Sequence, residues 1–371
     1  MVGTRTMATV SDVPEFDPQR YPPFPSDIPT APIKKISLAK LLSKDTAEID
    51  ALFEACKTYG FFYLSTRDHP QGEALEQGSL NMARIAEETF KLPLEEKKKC
   101  SMQNTGTIFG YKHAGGSKTD ASGTLDTAEF MNTAKDSIIN NASWPIPSTV
   151  KSNQHLFEPF VTTAHKTGLG ILKLIGEKLG LPEEEVTNRH RITQSSGDQV
   201  RMTRSPPLSA AAALEKQIAT PAHTDFGSIT LLFNWLGGLQ IWEPEDPDGS
   251  KFWSSSRHSE KGEWKYVRPI PGYAICNLGD AMTRFSNGVL NSGKHRVLPA
   301  PGPQGEFVRY SIVYFVRPED AVPLQVLKAE GIPPYEGKED EVVKTAGEHI
   351  VERARGLGVD TGNAKAVRSD V

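Results

Sequence analysis

A histidine and an aspartate two residues apart, His223 and Asp225, are well suited to hold a metal ion. In extended backbone, side chains at positions i and i+2 point to the same side, so both can face one point. His295 lies in similar strand-like sequence and is the best third ligand among the remaining histidines. Two imidazoles and one carboxylate leave coordination positions open, which suits Fe(II) that must bind a chelating co-substrate and O₂.

An H-x-D tripeptide alone is common, and such a pair is more often a hydrogen-bonded surface or core pair than a metal site. A second i, i+2 pair favours the metal site, because Arg309 follows fourteen residues after His295 and Ser311 lies two residues further on. A guanidinium grips a carboxylate through two parallel hydrogen bonds, and a serine hydroxyl can donate a third. The two pairs together predict a site for a metal and a small dicarboxylate.

The elements that must position these side chains are predicted helices in the first half of the chain and predicted short strands in the second half. Helical spacing of apolar residues predicts helices over 46–59, 73–90 and 156–179, with a strand at 61–64. After about residue 195, short apolar runs separated by Gly, Pro, Asn and Asp predict strands at 200–203, 229–235, 239–242, 264–267, 273–276 and 310–316. Regular short strands of this kind are typical of an all-β sandwich or barrel.

The termini and one internal stretch differ from these elements. The proline-rich segment 14–32 predicts an extended leader, wrapped on the surface or flexible, and 339–355 predicts a closing amphipathic helix before a polar tail. The polar stretch 245–262 lies between the predicted strands 239–242 and 264–267. We expect one compact unit with four parts: a 1–32 extension, a 33–150 N-terminal region, a 151–320 catalytic core of one helix and the β region, and a 321–371 C-terminal helix and tail.

Composition excludes several function classes. The 371 residues carry a formal net charge of -4, without the basic surface expected of a nucleic-acid binder. No apolar run approaches the roughly 18 residues that span a bilayer, and the N-terminus lacks a secretory core. Cys56, Cys100 and Cys276 are scattered without metal-binding spacing. We therefore expect a cytoplasmic protein that acts on a small molecule, as a monomer or weak homodimer, with no nucleic-acid or membrane partner.

The H-x-D, H and R-x-S series resembles the isopenicillin N synthase-like group of 2-oxoglutarate/Fe(II)-dependent dioxygenases, over roughly residues 33–318. Further matches occur in the family's order. They are Tyr59-Gly60-Phe61-Phe62 for W-G-F-F, Phe90 to Lys97 for F-x-L-P-x-E-x-K, Gly110-Tyr111 for the loop bordering the substrate, Asp126 to Glu129 for D-x-x-E, and Asn277 to Asp280 for N-x-G-D.

The resemblance implies a fold and a reaction. The fold is mainly β with flanking helices: a double-stranded β-helix, or jelly roll, with the N-terminal helices packed outside. His223, Asp225 and His295 would hold Fe(II), while Arg309, Ser311 and Thr203 would hold 2-oxoglutarate. With O₂ as oxidant, and ascorbate as an optional reductant, the enzyme would oxidise an unactivated C–H bond of a small molecule by hydroxylation, desaturation or ring closure, in specialised metabolite biosynthesis.

Family position also implies a set of substrate contacts, which are Thr107, Tyr111, Met131, Arg204 and Phe233, with Arg204 available for an anionic group. The sequence departs from the family at Ser205, where the N-x-Y-P-P segment has a tyrosine that often orients the co-substrate. The interval from Asp225 to His295 is also longer than in the family, and we expect the excess to form a surface hairpin insertion at 245–262. Two alternatives stay open. One is an oxidase of the same fold that does not use 2-oxoglutarate, and the other is a non-catalytic ligand-binding or sensor protein on the same scaffold.

Overall fold

The computed structural model describes residues 16–120, 122–209, 217–244, 261–336, 343–356 and 359–361. Its helices are α1 (Leu38–Leu42), α2 (Thr46–Lys57), α3 (Pro70–Lys91), α4 (Leu94–Lys99), α5 (Met102–Thr105), α6 (Lys135–Ile139), α7 (Ser148–Ser152), α8 (Gln154–Lys178), α9 (Glu183–Thr187), α10 (Asp280–Phe285) and α11 (Ala346–Gly356). Its strands are β1 (Lys34–Ile36), β2 (Phe61–Ser65), β3 (Gly110–Lys112), β4 (Glu129–Ala134), β5 (Gln199–Ser205), β6 (Thr220–His223), β7 (Ile229–Asn234), β8 (Leu239–Pro244), β9 (Gly262–Tyr266), β10 (Tyr273–Leu278), β11 (His295–Val297) and β12 (Arg309–Val316).

Two sheets form the centre of the molecule. The large sheet has the strand order β1-β2-β10-β7-β12-β5-β4-β3, and the small sheet has the order β6-β11-β8-β9. Part of the apolar core lies between them, where Phe61 and Ile275 of the large sheet pack with Leu239 and Ile241 of the small sheet. This arrangement is the jelly roll that the sequence predicted.

The long helices cover the outer face of the large sheet. α8 turns its apolar residues toward the sheet, and the ring of Phe160 lies 6.1 Å from Phe233 and 6.5 Å from Tyr314 between ring centroids. α3 packs beside α8 and buries Leu75, Met82 and other apolar residues of one face. The predicted helices 46–59, 73–90 and 156–179 correspond to α2, α3 and α8, and the expected placement of N-terminal helices outside the sheets is confirmed.

Strand register decides which side chains face the small sheet. Residues directly opposite one another on paired strands point to the same face of a sheet. Ser205, Thr203 and Arg201 of β5 lie opposite Arg309, Ser311 and Val313 of β12. These six residues all face the space between the two sheets. The residues that alternate with them face the helices.

The N-terminal segment packs against this scaffold. Phe16 is buried, with its ring centroid 4.6 Å from that of Trp235, and a short 3-10 helix follows at Pro18–Arg20. The described part of the proline-rich leader is therefore wrapped on the surface. β1 and β2 then pair with each other, and β2 pairs with β10, so the N-terminal region and the β region share the large sheet.

Two predicted features fall partly outside the described residues. Most of the expected hairpin insertion at 245–262 is one of them, although the flanking strands β8 and β9 pair from Gln240↔Tyr266 to Pro244↔Gly262. The closing helix is the other. In the described part of the chain α11 begins at Ala346, later than the predicted start at 339. None of the helices in the described ranges combines the length and apolar character that crossing a membrane requires.

Candidate functional site

The fold brings His223, Asp225 and His295 together. His223 ends β6 and lies directly opposite His295 at the start of β11, while Asp225 follows in the turn after β6. Oδ1 of Asp225 is 3.8 Å from Nε2 of His223 and 4.0 Å from Nε2 of His295. Potential ligand atoms of all three residues lie within 4.8 Å of one another, so the donor set fits one metal ion.

The backbone orients both imidazoles. Nδ1 of His223 is 2.8 Å from the carbonyl oxygen of Pro221, and Nδ1 of His295 is 3.0 Å from that of Gly293. A carbonyl oxygen only accepts, so each Nδ1 must carry the proton and donate it. Each Nε2 is then left with a free lone pair directed toward Asp225. This is the tautomer that a metal ligand needs, held by an outer hydrogen bond.

Asp225 is held just as firmly. Its Oδ2 accepts hydrogen bonds from Thr230 at 2.7 Å and from Asn277 at 2.8 Å, which leaves Oδ1 available to bind a metal ion. The N-x-G-D segment forms the turn beneath it, where the backbone N–H of Asp280 donates to the carbonyl oxygen of Asp225 at 2.7 Å. A Cβ added at Gly279 would lie 2.3 Å from the carbonyl oxygen of Gly227, so the two turns can approach only because this residue is glycine.

Electrostatics keeps His223 and Asp225 in the protonation states that bind metal. Burial, together with His295, lowers the pKa of His223 to about 4, so its imidazole is neutral near pH 7. Burial alone would raise the pKa of Asp225, but His295 and His223, with hydrogen bonds from Asn277 and Thr230, hold it at about 2. A neutral imidazole and an ionised carboxylate are the forms that coordinate metals.

A cavity of about 610 Å³, including its open mouth, surrounds this cluster. Both sheets line it, and it contains Arg309, Ser311 and Thr203 of the predicted co-substrate site. Arg309 is buried, its Nε donates to the carbonyl oxygen of Gly237 at 2.7 Å, and its Nη1 donates to Oγ of Ser311 at 3.3 Å. Burial lowers its pKa to about 10. Among the described residues, no carboxylate pairs with Arg309.

Ser205 is the residue that replaces the family's tyrosine, and it also lines the cavity opposite Arg309 in the strand register. Its side chain is buried, and its hydroxyl has no hydrogen-bond partner within the described part of the chain. A buried hydroxyl without a partner is costly, so a ligand oxygen near Arg309 would satisfy both groups. The donor set therefore fits the carboxylate of a small dicarboxylate.

The structure does not place the five predicted substrate contacts in the lining of this cavity. Met131 and Phe233 belong to a cross-strand row with Met202 and Ile312 that faces the helices, and Tyr111 lies opposite Met131. Arg204 also points to that side, where it pairs with Glu129 at 3.0 Å. Thr107 is buried in the loop before β3 and hydrogen-bonds Thr105 and the backbone of Phe109.

Other residues of the site were not predicted from the sequence. Thr230 and Asn277, which hold Asp225, and Arg201, which lines the cavity, are the main ones. Arg201 could have been predicted from the sequence, because it lies two residues before Thr203 on the same strand and so points to the same face.

Comparisons with known proteins agree with this geometry. A family model described as the 2OG-Fe(II) oxygenase superfamily matches residues 197–318, and one described as the N-terminal part of a non-haem dioxygenase in morphine synthesis matches residues 31–148. A curated 2-oxoglutarate-dependent dioxygenase of Aspergillus fumigatus is 31% identical over 322 residues, covering 84% of this chain and 82% of the relative. Another, from a Dothideomycetidae species, is 30% identical and covers 79% of this chain and 84% of the relative.

Solved structures share the fold. A full-length protein of Neurospora crassa, solved in complex with alpha-KG, superimposes with a TM-score of 0.69 at 22% identity, covering 87% of this chain and 96% of that chain. A putative 2OG-Fe(II) oxygenase family protein of Caulobacter crescentus gives a TM-score of 0.66 at 24% identity, covering 88% of this chain and 100% of that chain. At these identities the likeness concerns the fold alone.

Proposed function

Since the chain belongs to the 2-oxoglutarate- and Fe(II)-dependent dioxygenases, we propose that His223, Asp225 and His295 hold its Fe(II) and that Arg309 holds its 2-oxoglutarate. As a member of this family it is an oxidoreductase that uses Fe(II), 2-oxoglutarate and O₂. The proposed reaction is oxidation of an unactivated C–H bond of a small molecule in specialised metabolite biosynthesis. The main observation that supports this proposal is the position of Arg309. It is buried, has no acidic partner among the described residues, and lies in the same cavity as His223, Asp225 and His295.

The first group of cavity residues binds the metal in this proposal. His223, His295 and Oδ1 of Asp225 present three ligand atoms toward one point, and their hydrogen bonds to backbone, Thr230 and Asn277 keep them there. When bound, Fe(II) with 2-oxoglutarate and O₂ supplies the oxidising chemistry that breaks the substrate C–H bond, with release of succinate and CO₂.

Arg309, Ser311 and Thr203 have a positioning role in this proposal. Nε of Arg309 is fixed on Gly237, which leaves the terminal guanidinium nitrogens to grip the far carboxylate of 2-oxoglutarate. Ser311 and Thr203 lie opposite one another on β12 and β5 and add hydroxyl donors from rigid strands. Apolar residues such as Leu232, Leu239 and Val297 line the same cavity and exclude water from the site.

Anaerobic Fe(II) titration by calorimetry tests the metal assignment. We expect His223→Ala and Asp225→Ala to weaken Fe(II) binding by more than the roughly 10- to 100-fold that loss of an outer hydrogen-bond partner costs. His155→Ala is the matched control, because His155 lies on the exposed face of α8. Wild-type Fe(II) affinity in either ligand variant, in folded protein, would refute the assignment.

We further propose that the protein acts in the cytoplasm as a monomer or weak homodimer. Its cysteines Cys56, Cys100 and Cys276 are all free and buried, which supports a reducing compartment. Light scattering across a concentration series measures the oligomeric state, and a stable higher oligomer would contradict this part of the proposal.

A further inference from the structure

Arg201 is a second guanidinium in the cavity, at the end opposite Arg309. Arg201 lies opposite Val313 in the register of β5 and β12, while Arg309 lies opposite Ser205. Four residues of strand separate the two positions, or about 13 Å at roughly 3.3 Å per residue. Arg201 and Asp225 are close enough for the carboxylate to raise the pKa of the guanidinium, although burial dominates and lowers that pKa to about 10.

The guanidinium of Arg201 is held in a fixed plane. Its Cζ lies 4.2 Å from the ring centroid of Phe130 and 5.1 Å from that of Phe315. Its Nε donates to Oδ1 of Asn132 at 2.8 Å, and Asn132 is itself fixed by donating to the carbonyl oxygen of Ile108 at 2.6 Å. The two terminal nitrogens have no hydrogen-bond partner in the described parts of the chain. They form a preorganised fork that matches a planar, two-oxygen anion.

The charges of the site leave Arg201 unbalanced. In the proposed function, the positive charges of Fe(II) and Arg309 are balanced by the negative charges of Asp225 and of the two carboxylates of 2-oxoglutarate. The charge of Asp225 is therefore already balanced by the metal. Other cations near this part of β5 have their own acids: Arg204 pairs with Glu129, and Arg317 lies near Asp198 and Asp320. A partly buried cation in a cavity lined by apolar side chains favours an anionic ligand.

We propose that the prime substrate is a carboxylic acid and that Arg201 binds its carboxylate, which sets the substrate's orientation in the cavity. This inference rests on the proposed function, because it takes the Arg309 end of the cavity as the co-substrate's place. The substrate then enters from the Arg201 end, with its carboxylate on the terminal nitrogens of Arg201 and its apolar body toward the metal cluster. The rings of Phe130 and Phe315 hold the guanidinium in place for this contact.

The test measures binding to the anaerobic enzyme loaded with Fe(II) and 2-oxoglutarate. The probes are benzoate, phenylacetate, hexanoate and decanoate, each compared by calorimetry with its primary amide. We expect at least one acid to bind about 10-fold or more tightly than its amide, as the loss of a charge-assisted bidentate contact predicts. Arg201→Gln should abolish that preference and Arg201→Lys should restore part of it.

Arg204→Gln is the comparison variant, because Arg204 lies on the same strand and faces the helices. It should keep the acid preference, and 2-oxoglutarate affinity should stay within about twofold of wild type in Arg201→Gln. The inference is overturned if no acid is preferred in the wild type, if Arg201→Gln keeps the preference, if Arg204→Gln loses it instead, or if Arg201→Gln weakens 2-oxoglutarate binding. Failure of 2-oxoglutarate to bind the wild type would refute the proposed function separately.

Discussion

Removal of the Arg309 guanidinium tests the co-substrate site most directly. The side chain is 3% exposed, is fixed by Gly237 and lies beside Ser311, so a carboxylate bound there would be buried and charge-paired. Truncating one partner of such a pair costs about 2–5 kcal/mol, because the other charge stays buried without its partner. Arg309→Ala should therefore weaken 2-oxoglutarate binding by about 30-fold or more. Arg309→Lys keeps the charge but loses the fork and the Nε donor, so it should recover only part of this affinity.

The assay is an anaerobic titration of the Fe(II)-loaded protein with 2-oxoglutarate, followed by succinate formation against 2-oxoglutarate concentration in air. Fe(II) content is measured for each variant, so that weaker Fe(II) binding is not mistaken for weaker 2-oxoglutarate binding. Arg189→Ala serves as the control, because Arg189 pairs with Glu185 on α9, away from the cavity lining. An unchanged 2-oxoglutarate affinity in Arg309→Ala, or substrate oxidation by the wild type without 2-oxoglutarate, would refute the reasoning.

Three further predictions follow from buried polar groups. Ser205→Ala should weaken 2-oxoglutarate binding by about 2- to 10-fold, the value of one neutral hydrogen bond, and an unchanged affinity in the same titration would contradict a role for its hydroxyl. Asn277→Ala should lower Fe(II) affinity by about 10-fold or more, since Oδ2 of Asp225 keeps only its bond from Thr230; calorimetry checks this. Burial lowers the pKa of His190 from 6.5 to about 4, so the unfolded chain binds more protons between these pH values and stability falls on acidification. His190 contributes about 3 kcal/mol to the fall in the free energy of unfolding. Measured by denaturant unfolding, this free energy should depend less steeply on pH in His190→Gln than in the wild type.

The common facing of each proposed metal or co-substrate pair could be predicted from the sequence because each pair lies on one short extended segment. Local spacing fixes that His223 and Asp225, and likewise Arg309 and Ser311, point the same way. That His295 lies opposite His223 depends on pairing of β6 with β11, which no local pattern encodes. The order of the family motifs supplied this long-range information, and the family, the jelly roll and the need for Fe(II) and 2-oxoglutarate are confirmed.

The faces of the predicted substrate contacts could be predicted only in part, because they depend on which face of each strand meets the cavity. Arg204 is the case that local alternation decides. Thr203 was assigned to the co-substrate site, and alternation along a strand then places Arg204 on the opposite face and Arg201 on the same face. For Met131 and Phe233, the face of the sheet to which each side chain points follows only from strand pairing. Met131 of β4 lies opposite Met202 of β5, and Phe233 of β7 lies opposite Ile312 of β12.

The motifs at the outer side of β4 explain how the Arg201 site is held. Glu129 of the D-x-x-E block accepts hydrogen bonds from Lys97 of the F-x-L-P-x-E-x-K block at 2.8 Å and from Tyr111 at 2.6 Å, and it pairs with Arg204. The buried contacts from Lys97 and Tyr111 attach β4 to the N-terminal region from the helix side. The other face of β4 carries Phe130 and Asn132, which hold the guanidinium of Arg201.

Lys97 and Glu129 lie on the helix side of β4, away from the cavity. Both are buried, and Lys97 depends on Glu129 for charge compensation, whereas Glu129 also pairs with Arg204. Loss of Glu129 would therefore leave the charge of Lys97 buried without an acid, while loss of Arg204 would leave the Lys97–Glu129 pair in place. Through this buried pair the N-terminal region is joined to the strand that carries the two Arg201 contacts, which links the two halves of the sequence.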